Sequence, residues 1–141
     1  MRIITELKKA MFNKYNLSTL WTTDAIPFYL NDAPLVTNYP IITLKHQAGR
    51  NTMAMPSVAQ PAGFNYVDSI WTFAVMGNQL QHVQMEDIAD RLEDVYHRQT
   101  LITGNGVSFI AMFTTGSHTL YYNEGLKIWT IEQDYRCLAG N

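Results

Sequence analysis

The chain has a single cysteine, Cys137, among 141 residues. No internal disulfide framework can brace it, and a lone thiol fits a reducing compartment. Charge is scarce as well: 10 Lys and Arg with 12 Asp and Glu make up 16% of the chain, against about 25% in an ordinary soluble domain. The formal net charge is −2, so there is no bulk basic footprint for specific nucleic-acid binding. Long apolar runs are missing too. The longest, Ile70 to Met76, is interrupted by Thr72 and falls far short of the roughly 20 residues that span a membrane. The opening Met1-Arg2-Ile3-Ile4-Thr5-Glu6 leads into no apolar stretch with a small-residue cleavage site, so no secretory signal is expected.

Enzyme signatures are equally thin. His46, His82, His97 and His118 stand far apart in the sequence, without the i, i+4 spacing of a helical zinc site and without a second cysteine. Gly104-Asn105-Gly106 precedes an expected strand, whereas a dinucleotide fingerprint follows a strand and opens a helix. There is no Walker A sequence and no nucleophile elbow. Cys137 reads as a tolerated thiol. The expectation is no catalytic residue, no cofactor and no metal.

What is present is apolar and aromatic. Hydrophobic residues form 47% of the chain, with 6 Phe, 3 Trp and 8 Tyr, enough for one domain, residues 1–141, with a core of its own. Residues 2–15 repeat apolar side chains at three- and four-residue steps (Ile3, Leu7, Met11, Tyr15) and predict a helix. Three prolines between 24 and 40 predict an extended connector carrying Phe28 and Tyr29. Residues 41–46 predict a strand with Ile42 and Leu44 inward, and 47–63, with Gly, Pro and Ala, a long flexible loop. Residues 64–77 predict a strand that is apolar on both faces and therefore covered on both sides, by its own helices or by a neighbouring chain. Residues 83–98 predict an amphipathic helix whose stripe includes Val83, Met85, Ile88 and Leu92, with early acids and Arg98 complementing its dipole. Strands are expected at 107–114, 118–122 and 126–136. Helices and strands are segregated, so the expected class is α+β: a mainly antiparallel sheet of four to five strands with two helices on one face.

The charges are also unevenly placed. Residues 51–85 contain one, Asp68, and residues 99–123 contain none. Such surfaces invite association through sheet edges and patches unless another chain covers them. Candidate interface residues are Arg50, Met53 and Met55 in the long loop, where Met adapts to irregular surfaces. Asp68, a lone acid in an apolar strand, and Glu86 and Asp90 on the acidic helix face complete the set.

The layout resembles the tail-terminator and neck (head-tail joining) proteins of tailed bacteriophages, which share an α-β-β-α-β-β plan. The likeness is carried by the helix Ile3 to Tyr15, the approach Tyr39-Pro40-Ile41-Ile42, the acidic helix around Met85-Glu86-Asp87-Ile88 and the terminal strand after Gly125. It implies a non-enzymatic virion protein, a hexameric ring that ends tail-tube growth and offers a docking surface to the head connector. The implied partners are further copies of the chain, the tail tube protein and the head-connector or neck protein. The implied place is the virion neck, after assembly in the host cytoplasm. Another neck, head-completion or minor tail role stays open. So does a ligand-binding or enzymatic α+β domain with a pocket between the sheet and helix 83–98, near Trp71.

Overall fold

The computed structural model describes residues 2–31, 38–52, 66–78 and 81–140. Helix α1 spans Arg2–Leu17, and its inward stripe of Ile3, Leu7, Ala10, Met11 and Tyr15 is buried. It ends where the Ser18 hydroxyl donates to the Tyr15 carbonyl at 2.6 Å, a local bond that competes with continued helix. The four-residue α2, Thr19–Thr22, follows.

Five strands form one sheet in the order β1-β2-β3-β5-β4: β1 Phe28–Leu30, β2 Ile41–Thr52, β3 Tyr66–Asn78, β4 Ser108–Asn123 and β5 Ile128–Gly140. Helix α3, His82–Tyr96, lies between β3 and β4 in the chain. The class is α+β. All pairings are antiparallel except β1 with β2, which is parallel. The expected α-β-β-α-β-β order is present, with α2 and β1 inserted between its first helix and its first strand.

Several elements differ from expectation for identifiable reasons. The connector carries a strand, β1, because Phe28 to Leu30 pair with Ile42 to Leu44, a long-range partner that local pattern cannot reveal. Residues 47–52 are not loop but the second half of β2. A bulge between His46 and Ala48 lets the ladder resume, with Ala48 and Gly49 opposite Ile70 and Ser69. Residues 53–63, with Met53 and Met55, lie outside the described residues. The strands expected at 107–114 and 118–122 are one strand. Between the pairs Thr114↔Tyr135 and His118↔Gln133, β4 uses four steps to two on β5, and Gly116, at φ 82°, allows that wide irregularity. Strand β5 runs to Gly140, beyond the expected end at 136.

In α3 the buried stripe is Met85, Ile88, Ala89, Leu92 and Tyr96. Val83 is not part of it. Four and seven residues on from Val83 stand Asp87 and Asp90, so helical spacing turns it to the acidic side, where it is 78% exposed. The first turn holds no acid and the last no base. Arg98 lies past the helix end in a left-handed conformation, φ 57°, so the expected dipole complement is absent.

The core lies between the sheet and α1 and α3. Val67, Trp71, Phe73 and Val75 of β3 are buried beside Ile42 and Leu44 of β2 and Ile131 and Tyr135 of β5. Aromatic rings fill its centre: Phe73 lies 4.6 Å from Tyr96 and 5.1 Å from Tyr135 between ring centroids, and Tyr15 stacks on Phe28 at 4.4 Å. Such pairs contribute roughly 0.5–1.5 kcal/mol beyond area burial. The polar tips are satisfied. Tyr15 donates to the Ile26 carbonyl at 2.6 Å, Tyr96 to the Met11 carbonyl at 2.7 Å, and Trp71 Nε1 to Ser69 Oγ at 2.8 Å. Side chains therefore occupy the space between sheet and helix where the ligand-binding alternative placed its pocket.

Candidate assembly surface

Both helices pack on one face of the sheet, and the strand period sends alternate β3 residues to the other face. There stand Tyr66, Asp68, Ile70, Thr72, Ala74 and Met76. Within the chain this face is covered only in part: Thr72 and Ala74 are buried, whereas Ile70 is 39% exposed. On this open face Asp68 accepts two hydrogen bonds from the Arg136 guanidinium, one from Nε at 2.7 Å and one from an η nitrogen. The fork raises the pKa of Arg136 through hydrogen bonding and Coulomb attraction. A carboxylate with only 14% of its side chain exposed is thus met by a donor fork that matches its plane. Thr72 donates to Asp134 at 2.6 Å and Tyr121 to Glu132 at 2.9 Å. Desolvation, reinforced by the Glu132 bond, raises the Tyr121 pKa. The open face is therefore a polar surface of paired charges and threonines with an apolar spot at Ile70.

The other side carries the acids of α3. Arg91 reaches from α3 to Asp24, to Thr19 Oγ1 at 3.0 Å and to Asp87 at 3.8 Å, tying the helix to α2. Glu86 is 3.8 Å from His82 Nε2, and Asp90 is exposed.

Nucleophilic and metal chemistry find little support among these groups. Burial pushes the Cys137 thiol up to about 12, which leaves almost no thiolate at neutral pH. Among the described residues, no cluster of three or more His, Cys, Asp or Glu could hold a metal ion. The grooves are shallow surface features. One of about 440 Å³ runs along residues 97–100 and 109–114. A second, of about 380 Å³, lies beside β1 and is lined by Phe12, Trp21, Pro27, Phe28 and Tyr29 among others.

The arrangement of five strands and two covering helices has a counterpart. A chain in the virion of a native gene transfer agent particle has this fold. The superposition reaches a TM-score of 0.77 and covers 99% of this chain and 98% of that one, at 11% sequence identity. A second solved structure, whose description names no function, matches at a TM-score of 0.55 and 9% identity over 92% of this chain and 94% of the other. No protein-family model and no curated protein matches the sequence. At these identities the likeness is one of fold.

The six residues singled out from the sequence do not form one patch. Arg50 stands opposite Asp68 in the β2–β3 ladder, so these two come together at one end of the sheet. Glu86 and Asp90 belong to α3, on the other face. Met53 and Met55 lie outside the described residues. Sequence reasoning missed the far half of β4, where Leu120, Tyr121 and Tyr122 are exposed. Tyr122 packs 5.0 Å from Trp129, which in turn meets His82 at 5.5 Å. The charge-free run 99–123 was the available signal, and only the sheet order identifies it as an edge.

Proposed function

We propose that the chain is a non-enzymatic structural subunit of a bacteriophage-type virion, a ring-forming tail terminator that caps the head-proximal end of the tail tube and presents a docking surface to the head connector. The observation that carries this reading is the end-to-end fold match with a virion chain, together with the element order of the tail-terminator plan. An uncharged edge strand and an open sheet face suit a subunit whose surfaces are covered on assembly. Its partners are copies of itself in a hexameric ring, the tail tube protein and the head-connector or neck protein, and it resides in the virion neck after assembly in the host cytoplasm. Asp68 with Arg50, and Glu86 with Asp90, contact different neighbours, since they lie on opposite faces. Met53 and Met55 are further interface residues on this reading. The reading needs no catalytic residue and no cofactor.

Light scattering on a sizing column at several concentrations, followed by electron microscopy of purified tail tubes mixed with the protein, tests it. The expected result is a species near about six times 16.1 kDa, or a monomer that decorates one end of each tube. A monomer that leaves tube ends bare overturns the proposal.

A further inference from the structure

The sheet has two dissimilar edges, β1 and β4. The first half of β4 is covered: the Arg98 amide donates to the Met112 carbonyl at 2.8 Å, and the Thr114 amide donates to His97 Nδ1 at 3.0 Å. Beyond the irregularity at residues 115–117, the outer edge of Thr119–Asn123 meets no backbone partner among the described residues. Edge strands are normally blunted by lysine, proline or a covering element. This stretch has none of these and exposes Leu120 at 40% and Tyr122 at 36%.

The register relates the two edges. One row of the sheet runs Phe28–Ile42–Val75–Ile131–Leu120, and the next runs Tyr29–Thr43–Ala74–Glu132–Thr119. The open part of β4 therefore stands at the same level as β1, at the far side of the same sheet. One parallel and three antiparallel pairings separate them, so β4 runs antiparallel to β1. The faces agree as well. Leu120 and Tyr122 share the helix side with Phe28 and Leu30, where the aromatic groove beside β1 lies. Thr119 and Tyr121 share the open side with Tyr29.

We infer that β4 residues 119–123 of one copy pair antiparallel with β1 of the next, continuing the sheet from subunit to subunit, with Leu120 and Tyr122 seated in the groove lined by Trp21 and Phe28. The occupant is a second copy because the two edges match in level, direction and face. A head-to-tail contact of this kind repeats by rotation with little rise along the strands, as a closed ring requires. The inference rests on the ring reading and specifies its subunit contact.

Cysteine pairs test it. Tyr29→Cys is combined in turn with Thr119→Cys and Tyr121→Cys, since facing Cβ atoms in antiparallel pairs lie roughly 5 Å apart. The native Cys137 is buried. Mild oxidation followed by a non-reducing gel should give a ladder extending beyond the dimer for at least one double variant and none for the single variants. Dimers from Tyr121→Cys or Thr119→Cys alone would overturn the inference in favour of a two-fold β4–β4 contact. Light scattering that reports a ring while no double variant cross-links refutes this contact and leaves the terminator reading intact. A protein monomeric at every concentration, not cross-linked and absent from tube ends sinks both.

Discussion

Gly77 sits near the end of β3, opposite Trp129, where α3 begins its passage back across the sheet. A Cβ placed there would lie 2.5 Å from Met85 Sδ, 2.8 Å from Met85 Cγ and 3.3 Å from Gln81 Oε1. Comfortable non-bonded carbon contacts begin near ~3.5 Å, so Gly77→Ala must displace the middle of the Met85 side chain by about 1 Å. Met85 is fully buried, and a core at native density offers no free volume for that shift. Overpacking of this kind costs about 1–3 kcal/mol. Gly77 is outside the left-handed region, so the lower entropy of the unfolded alanine chain offsets about 0.4–1 kcal/mol. The net expectation is a loss of about 1–2 kcal/mol, read by urea unfolding followed by tryptophan fluorescence, or as a fall in Tm of roughly 4–8 °C. Met85→Ala alone should cost about 2–5 kcal/mol. In the Gly77→Ala background it should cost about 1–2 kcal/mol less, because the new methyl group occupies part of the vacated space. Additivity of the two changes within about 0.5 kcal/mol would refute the argument that Gly77 is required by the seating of α3.

Tyr96→Phe removes the buried bond to the Met11 carbonyl that joins α3 to α1, and should cost about 1–2 kcal/mol in the same urea titration without changing the far-ultraviolet circular dichroism spectrum. Alkali should unfold the protein. Burial raises the Cys137 thiol from its ordinary 9.0 to about 12 and raises Tyr15, Tyr96 and Tyr135 as well. The unfolded chain therefore releases these protons first, and stability, complete below pH about 9, falls as pH rises through the folded values. Cys137→Ser should remove the part of that decline that starts nearest pH 9, measured as ΔG of unfolding against pH. Asp68→Asn should move Tm by less than roughly 3 °C, because the Arg136 fork is partly exposed, yet reduce ring or tube-end binding in the light-scattering and microscopy assays. An unchanged assembly would remove Asp68 from the interface. Glu86→Lys with Asp90→Lys should likewise leave the fold intact, since both side chains are exposed, and weaken docking of a partner on the helix side.

Much of the fold was legible because local periodicity and tertiary burial agree. The stripes of α1 and α3 and the alternation of β3 follow from the rule that one side of each element must leave water, and the packed core obeys it at Leu7, Met11, Ile88, Leu92, Trp71 and Phe73. Val83 broke the pattern because apolar character alone does not define a stripe; angular position does. The second half of β2 and the unity of β4 were hidden because Gly and Ala signal loop locally, whereas ladder bonds from β3 and β5 outweigh that weak preference once the partner strands are in place.

The candidate surface divides in the same way. The sequence by itself determined that the chain is charge-poor in two long stretches, lacks the residues for metal or nucleophilic chemistry at recognisable spacing, and segregates helices and strands as an α+β fold does. These are properties of composition and short-range order, which are written along the chain. Only the tertiary structure decided that residues 119–123 form a sheet edge, that they stand level with Phe28 and Tyr29 across five strands, that Arg136 holds Asp68, and that Glu86 and Asp90 face away from it. Each of these depends on pairing between residues far apart in the chain, and strand order is fixed by the burial of the whole sheet rather than by any one segment of it.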